Sequence, residues 1–362
     1  MKTIRKQIIK TLLSPLFLFS CISVAQTQIT PYRPGITTEG VTYFLPKTQL
    51  HIILRADKET YLPGEYATFA RRFLGIENVG TKKTEKWTLR SVEVIPFGSA
   101  DKSKSYTIAL NHKTSAPLVS LAPDGRLLGI NTKVAPLPPL EKGTITQIQK
   151  PRNNAHRFKT QEVIRAGNLT AKAETTAQEI YDIRENRTLL AKGQADFNPK
   201  DGEQLRLMLA RLDEQEEALT SLFIGTTNKE AYSFVFEYIP QKEVVREELF
   251  RFSKHLGLLE TDDLAGNPIY ISIEDKRTLP TEEAPRKKKK EEEDLRYCNP
   301  SSALVKIFTS ERTLYEESIP IAQFGRIEHL GGVLFNKKFN TRVTLSPITG
   351  SIENIDLEQL DK

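Results

Sequence analysis

Between residues 171 and 225 apolar side chains recur every three or four positions, whereas over residues 41–130 and from residue 231 on they tend to alternate. A period near 3.6 suits a helix with one buried stripe and a period of two suits a strand with one buried face, so this chain must set helices inside a β-rich frame. The first helix is expected over Ala171–Ala191, with Ala177, Ile180, Ile183 and Leu190 roughly on one face and Gly193 just past its end. The second opens at Asp201, with Gln204 three residues on as a capping box, and carries Leu205, Met208, Leu209, Leu212, Leu219, Leu222 and Phe223 to a stop at Gly225. Asn198-Pro199 lies between them, so the pair should fold back as an antiparallel hairpin.

Upstream, a β-rich domain is expected over 40–131. Leu50, Ile52 and Leu54 alternate with His51, Ile53 and Arg55, and Trp87, Leu89, Val92 and Val94 continue the theme with a change of phase at Ser91 that a bulge would explain. Tyr106, Ile108 and Leu110 read as a further strand. Pro123-Asp124-Gly125 separates two apolar runs as a hairpin turn, and one short helix should run from Pro63-Gly64 to Gly75. Residues 132–170 carry four prolines and no apolar period, which predicts a flexible Pro-rich linker or loop. A second β-rich domain is expected over 231–358, with strands around Phe234–Tyr238, Val244–Phe252, Ile269–Ile273, Leu304–Phe308, Val333–Phe335 and Val343–Leu345. Its segment 278–296 holds six acids against six bases and should be a solvated loop. The predicted fold class is therefore α+β, two β-rich domains, sandwich or open barrel, joined by a central antiparallel helical hairpin.

Charge first suggests an anionic partner, since 52 bases against 46 acids give +6. Four of those bases, Lys2, Arg5, Lys6 and Lys10, precede an apolar run from Thr11 to Phe19 and a small-residue stretch ending Ser23-Val24-Ala25, the three regions of a signal peptide over residues 1–25. Cleavage between Ala25 and Gln26 would leave 48 bases against 46 acids, a net charge of +2, and Cys298 as the remaining cysteine. A polybasic nucleic-acid binder and a disulfide-stapled scaffold are then both excluded. The rival processing is lipidation of Cys21 within Leu18-Phe19-Ser20-Cys21, which would be the chain's attachment to a membrane. Either route predicts a periplasmic or outer-membrane-associated protein.

Motifs for chemistry are sparse. There is no Gly-x-Ser-x-Gly elbow, and Ser99-Ala100-Asp101-Lys102 lacks the companions of a Ser-x-x-Lys acyl-enzyme and reads as a polar turn. Cys298 has no histidine nearby and reads as a half-buried thiol at a strand end. The five histidines are isolated from one another, and Asp262-Asp263 with Gly266 supplies too few oxygens for a calcium loop, so no metal or other cofactor is expected. One constellation breaks a local rule. Glu216 falls on the apolar stripe of the second helix, and Arg184 and Arg187 lie near the matching stripe of the first, which predicts a buried ion pair that sets the register of the hairpin.

Several of these segments in combination resemble a family of exported Bacteroidetes proteins, domain-of-unknown-function family 4831. They are Val41–Thr48, Tyr61–Ala67, Phe73–Ile76, Ile180–Arg187, Leu212–Gly225, Gln323–Arg326 and Pro347–Gly350. The resemblance implies an envelope location and brings no catalytic residue with it. The reading that follows is a non-enzymatic binding or structural module for a protein or glycan component of the cell envelope. The alternative is a glycan- or peptide-directed hydrolase built on dispersed carboxylates, which would require a concave pocket holding two or more of them.

Overall fold

The computed structural model describes residues 36–37, 40–108, 118–135, 137, 140, 142–149, 155–197, 199, 201–280, 295–331, 334 and 339–359. The expected export segment with Cys21, Ala25 and Gln26 lies outside the described residues, as do the charged block at 281–294 and the strand positions Leu110, Val333 and Phe335.

Strand β1 (Ile36–Thr37) turns into β2 (Gly40–Leu62), which runs for 23 residues. After Pro63-Gly64 come a 3-10 turn at Ala67–Phe69 and helix α1 (Ala70–Leu74), closed by Gly75 as expected. β3 (Thr84–Ile108) returns antiparallel along β2, from Tyr61 opposite Thr84 to Val41 opposite Ile108. The phase change near Ser91 is indeed a bulge. Arg55 faces Ser91 and Ala56 faces Leu89, which leaves Arg90 with no opposite number. A wider bulge sets Asp101–Lys104 of β3 off the β2 ladder, because Phe44 faces Ser105 while Pro46 faces Ala100. The Ser99–Lys102 string is thus part of a strand edge, with the Ser99 hydroxyl accepting from Gln49 Nε2 at 2.6 Å. β4 (Val119–Leu121) and β5 (Leu127–Ile130) form the hairpin expected around Pro123-Asp124-Gly125.

The segment 132–170 is not a patternless linker throughout. It contains β6 (Thr144–Gln149), a 3-10 turn at Ala155–Phe158 and α2 (Gln161–Arg165), and Ala155 and Val163 are buried. β6 reads Thr-Ile-Thr-Gln-Ile-Gln with Ile145 two-thirds exposed, so hydrophobic alternation gives it no signature. Helix α3 (Leu169–Lys192) starts at Asn168, whose side chain accepts from Ala171 N at 2.8 Å, and ends at Gly193. Ala177, Ile180, Ile183 and Leu190 are all buried. Helix α4 (Gly202–Ile224) is capped by the Asp201 carboxylate, which accepts from Glu203 N at 3.2 Å.

Strands β7 (Thr226–Tyr238), β8 (Val244–Ser253), β9 (Gly257–Leu259), β10 (Asn267–Asp275), β11 (Leu295–Phe308), β12 (Thr313–Leu330), β13 (Phe339–Leu345) and β14 (Ile352–Gln359) complete the chain. Among the described residues the strands distribute into three sheets. The first runs β3-β2-β7-β6 with β1 at the start of β2, the second β12-β11-β10-β8-β9, and the third β14-β13-β5-β4. The fold is β-rich with helices, but its sheets do not divide where the sequence suggested two β-rich domains. β7 pairs with β2 from Leu50 opposite Tyr238 to Leu62 opposite Thr226, and β13 pairs with β5. Strands from both expected domains therefore share two of the sheets. An apolar strand face carries no record of how far along the chain its partner lies.

Alternation supplies the main core. Leu50, Ile52, Leu54, Val92 and Val94 of the first sheet meet Ile269, Ile271, Ile273, Val305, Ile307 and Ile321 of the second, all less than a tenth exposed. A second cluster joins Tyr66 and Ala70 to Ile180 and Ile183 of α3 and to Leu219, Leu222 and Phe223 of α4. The third packs Tyr43 and Leu45 of β2 against Leu127, Ile130, Leu295, Val343 and Leu345.

Between the first and third clusters the sheets are stitched by polar groups. Pro300 has no N–H to give the β11–β12 ladder, and the register slips there from Asn299 opposite Arg326 to Ser301 opposite Ile321. The extra residues Ala322–Gly325 reach across to β2. Thr48 N donates to Gln323 Oε1 at 2.9 Å, Gln323 Nε2 donates to Thr48 O at 2.7 Å, and Ala322 N donates to the Thr48 hydroxyl at 3.0 Å. Beside them the Pro347–Gly350 turn lies against Gly98. A Cβ at residue 98 would sit well inside 3.0 Å of the Pro347 carbonyl, so only glycine admits that approach. Arg126 also donates to Pro347 O, while its Nε holds Asp124 at 2.7 Å.

Candidate functional site

Helices α3 and α4 touch along one seam, and the charges singled out in the sequence lie on it. Arg184 Nε donates to Glu216 Oε1 at 2.6 Å and Arg187 NH1 to Glu216 Oε2 at 2.7 Å. Arg187 also reaches Asp213 Oδ1 at 2.8 Å, a partner the sequence did not suggest. The network is less buried than expected. The Glu216 side chain is 15% exposed, but Arg184 and Arg187 are 38% and 39% exposed, because a long guanidinium stem lets each head group reach water. Each oxygen of Glu216 has its own charged donor, so the carboxylate is satisfied at the edge of the apolar seam.

This network stands where the helical core ends. On one side of it Ala218, Leu219, Leu222 and Phe223 are fully buried. On the other, the apolar stripe of α4 continues through Leu212, Met208 and Leu205, which are only half-buried. There the helices leave a groove of about 520 Å³, lined by Leu190 of α3 and by Leu207, Met208 and Leu212 of α4, with Arg211 and Asp196 among its polar residues. Leu207 is 56% exposed, and Phe197 in the connection between the helices is 64% exposed. The stripe specified by the sequence is thus longer than the core it has to cover.

Other residues considered from the sequence fall elsewhere. Cys298 lies inside β11 and is 4% exposed, so it is a fully buried thiol and not one at a half-covered strand end. Its Sγ donates to Ala322 O at 3.5 Å, and burial pushes the thiol up to about 11. Among the described residues no three His, Cys, Asp or Glu side chains gather as metal ligands would. Glu179 of α3 is a carboxyl held above its ordinary value, through burial and then the nearby charges of Asp182 and Glu162, but it does not line the groove. Glu328 is held below the usual carboxylate range by the hydrogen bond from Asn299, reinforced by Arg326 and Tyr297.

The segments that carry the family resemblance converge on two places. Val41–Thr48, Gln323–Arg326 and Pro347–Gly350 meet at the Thr48 junction. Tyr61–Ala67, Phe73–Ile76, Ile180–Arg187 and Leu212–Gly225 meet in the helical cluster. There Tyr66 N donates to Leu222 O at 2.7 Å, Tyr181 OH donates to Phe73 O at 3.0 Å, and the Tyr66 and Phe223 rings lie 5.4 Å apart. Gly64 rests directly on the last turn of α4, where a Cβ would fall well inside 3.0 Å of the Leu222 carbonyl. The chain matches no curated protein and no solved structure. Over residues 39–353 it matches the family described as Domain of unknown function (DUF4831), a span that runs from β2 through β13 and includes α1 to α4, and the chain belongs to that family.

Proposed function

We propose that this is an exported protein of the cell envelope that acts as a non-enzymatic binding module, with the α3–α4 groove as its docking surface for a protein partner. The observation that carries the reading is the apolar stripe of α4 that runs on beyond its own core, past the Glu216 network, into a groove rimmed by Leu207. Half-exposed leucines in a row at helical spacing suit an apolar segment of a partner laid along the two helices. The basic head and apolar run of residues 1–25 support export, and their chemistry directs the chain to the periplasmic side of a membrane.

The test is crosslinking and affinity purification from envelope fractions, comparing the natural chain with Leu207→Asp. Leu207 is more than half exposed, so the substitution leaves the helical core intact. A stoichiometric protein partner recovered with the natural chain and lost with Leu207→Asp is the expected result. Recovery of the protein alone, or equal recovery of the partner by both chains, would overturn the reading.

A further inference from the structure

The first sheet has a second face, turned away from the main core. Leu50, Ile52 and Leu54 point into that core, so Arg55 and Asp57 point out of it. Residues paired across four strands then stand in rows on the outer face. Ser91, Arg55, Ser233 and Thr144 form one row, and Asp57, Ala231 and Thr146 lie in the next. Together they bound a trough of about 390 Å³. Ala231 keeps its floor low, and the bulge in β3 supplies Arg90, whose Nε donates to Asp57 Oδ2 at 2.5 Å. A bulge that re-aims one charged side chain over a concave surface is a common device at ligand sites.

Three observations say what such a trough would take. Its lining holds two guanidiniums, Arg55 and Arg90, against one carboxylate, Asp57, so it favours a negative group. Both guanidiniums reach solvent. Arg55 meets Glu93 at 3.3 Å with both side chains at least 41% exposed, and Arg90 is 63% exposed. The rest of the lining is hydroxyl-rich, and Ser233 is 7% exposed with an Oγ that is screened from solvent and has no hydrogen-bond partner among the described residues. A buried hydroxyl left unpaired calls for a partner, and an oxygen held in the trough would supply one.

We infer that this trough binds a sugar unit bearing a carboxylate. The forked guanidiniums of Arg55 and Arg90 match the planar carboxylate, and the hydroxyls of Thr144, Thr146 and Ser233 with the Asp57 carboxylate match ring hydroxyls, which both give and accept hydrogen bonds. The site lies on strands of the first sheet and shares no residue with the helical groove, so each can fail without the other.

The experiment is calorimetric titration of the mature chain with glucuronate, glucose and acetate. Glucuronate should bind, with glucose and acetate each about tenfold weaker or more, since each offers half of the recognised chemistry. Arg90→Ala should weaken glucuronate about tenfold at an unchanged melting temperature, and Ala231→Leu, which raises the floor, should abolish binding. Absence of glucuronate binding, acetate binding as tight as glucuronate, or indifference to Arg90→Ala would each overturn the inference. If Ala231→Leu does not fold, Arg90→Ala decides.

Discussion

Gln323 grips both main-chain groups of Thr48, and replacing its amide with a carboxylate should make the stability of this protein depend on pH in a way its own carboxylates cannot. Thr48 is completely buried, so Gln323→Ala orphans a donor and an acceptor at once. At about 1–3 kcal/mol for each orphaned group, and with water able to enter through the half-buried position 323, the loss should be about 2–4 kcal/mol at any pH. Gln323→Glu keeps the acceptor for Thr48 N but, when ionised, has no proton for Thr48 O and sets two oxygens against each other. Only the protonated acid restores both bonds. Its folded-state pKa is therefore raised above the unfolded value of about 4.3, so its contribution is fully present below about pH 4 and is lost as pH rises through the folded value. A repulsive penalty of about 2–3 kcal/mol corresponds to a shift of about two units, which places the loss between about pH 4 and pH 6. Urea denaturation of the natural chain and both variants across that range measures the differences, which removes the acid sensitivity all three share. A Gln323→Glu deficit that stays flat with pH, or a Gln323→Ala deficit below about 0.5 kcal/mol, would refute the bonding at this junction.

Glu216→Ala should lower stability by about 1–2 kcal/mol, less than the loss of a fully buried pair, because Arg184 and Arg187 can turn to water; an unchanged melting temperature would remove the network's structural role. Gly64→Ala drives a methyl into the Leu222 carbonyl and should cost about 3 kcal/mol by urea denaturation, with a variant of natural stability as the contrary result. Cys298, raised by burial from 9.0 to about 11, contributes stability that is fully present below about pH 9 and is lost as pH rises toward 11. The natural chain should therefore lose more stability over that interval than Cys298→Ala does, and a thiol reagent at pH 8 should label it only as fast as the protein unfolds.

Much of the local structure could be read from the residues because it is locally determined. α3 and α4 announce themselves through a long apolar stripe and through Gly193, Asp201 and Gly225 at their ends, and the bulge near Ser91 shows as a slipped alternation. What could not be read depends on partners far along the chain. Nothing in Thr226–Tyr238 says that it lies beside Gly40–Leu62 and not beside its neighbours. β12 hides because Ala322–Gly325 interrupts its alternation and Glu316, Glu317 and Ser318 face solvent, and β14 hides because nearly all of it is exposed. The Glu216 network was visible because a charge on an apolar stripe breaks a pattern, whereas Asp213 breaks none. The trough had no signal at all, since its walls are assembled from β2, β3, β6 and β7, and no single strand carries more than three of its residues.

β2 links separate parts of the molecule. Its first residues, Tyr43 and Leu45, belong to one apolar cluster, Leu50, Ile52 and Leu54 belong to another, and its last, Leu62, lies against the end of α4. During synthesis it emerges well before β7 and the second sheet that complete its surroundings, which follow only from residue 226 onward. Pairings so distant in sequence close slowly and late. The growing chain therefore cannot finish its main core until β12 has been made, and between the emergence of β2 and of β12 it stays open enough to be threaded through a narrow channel or held by a chaperone.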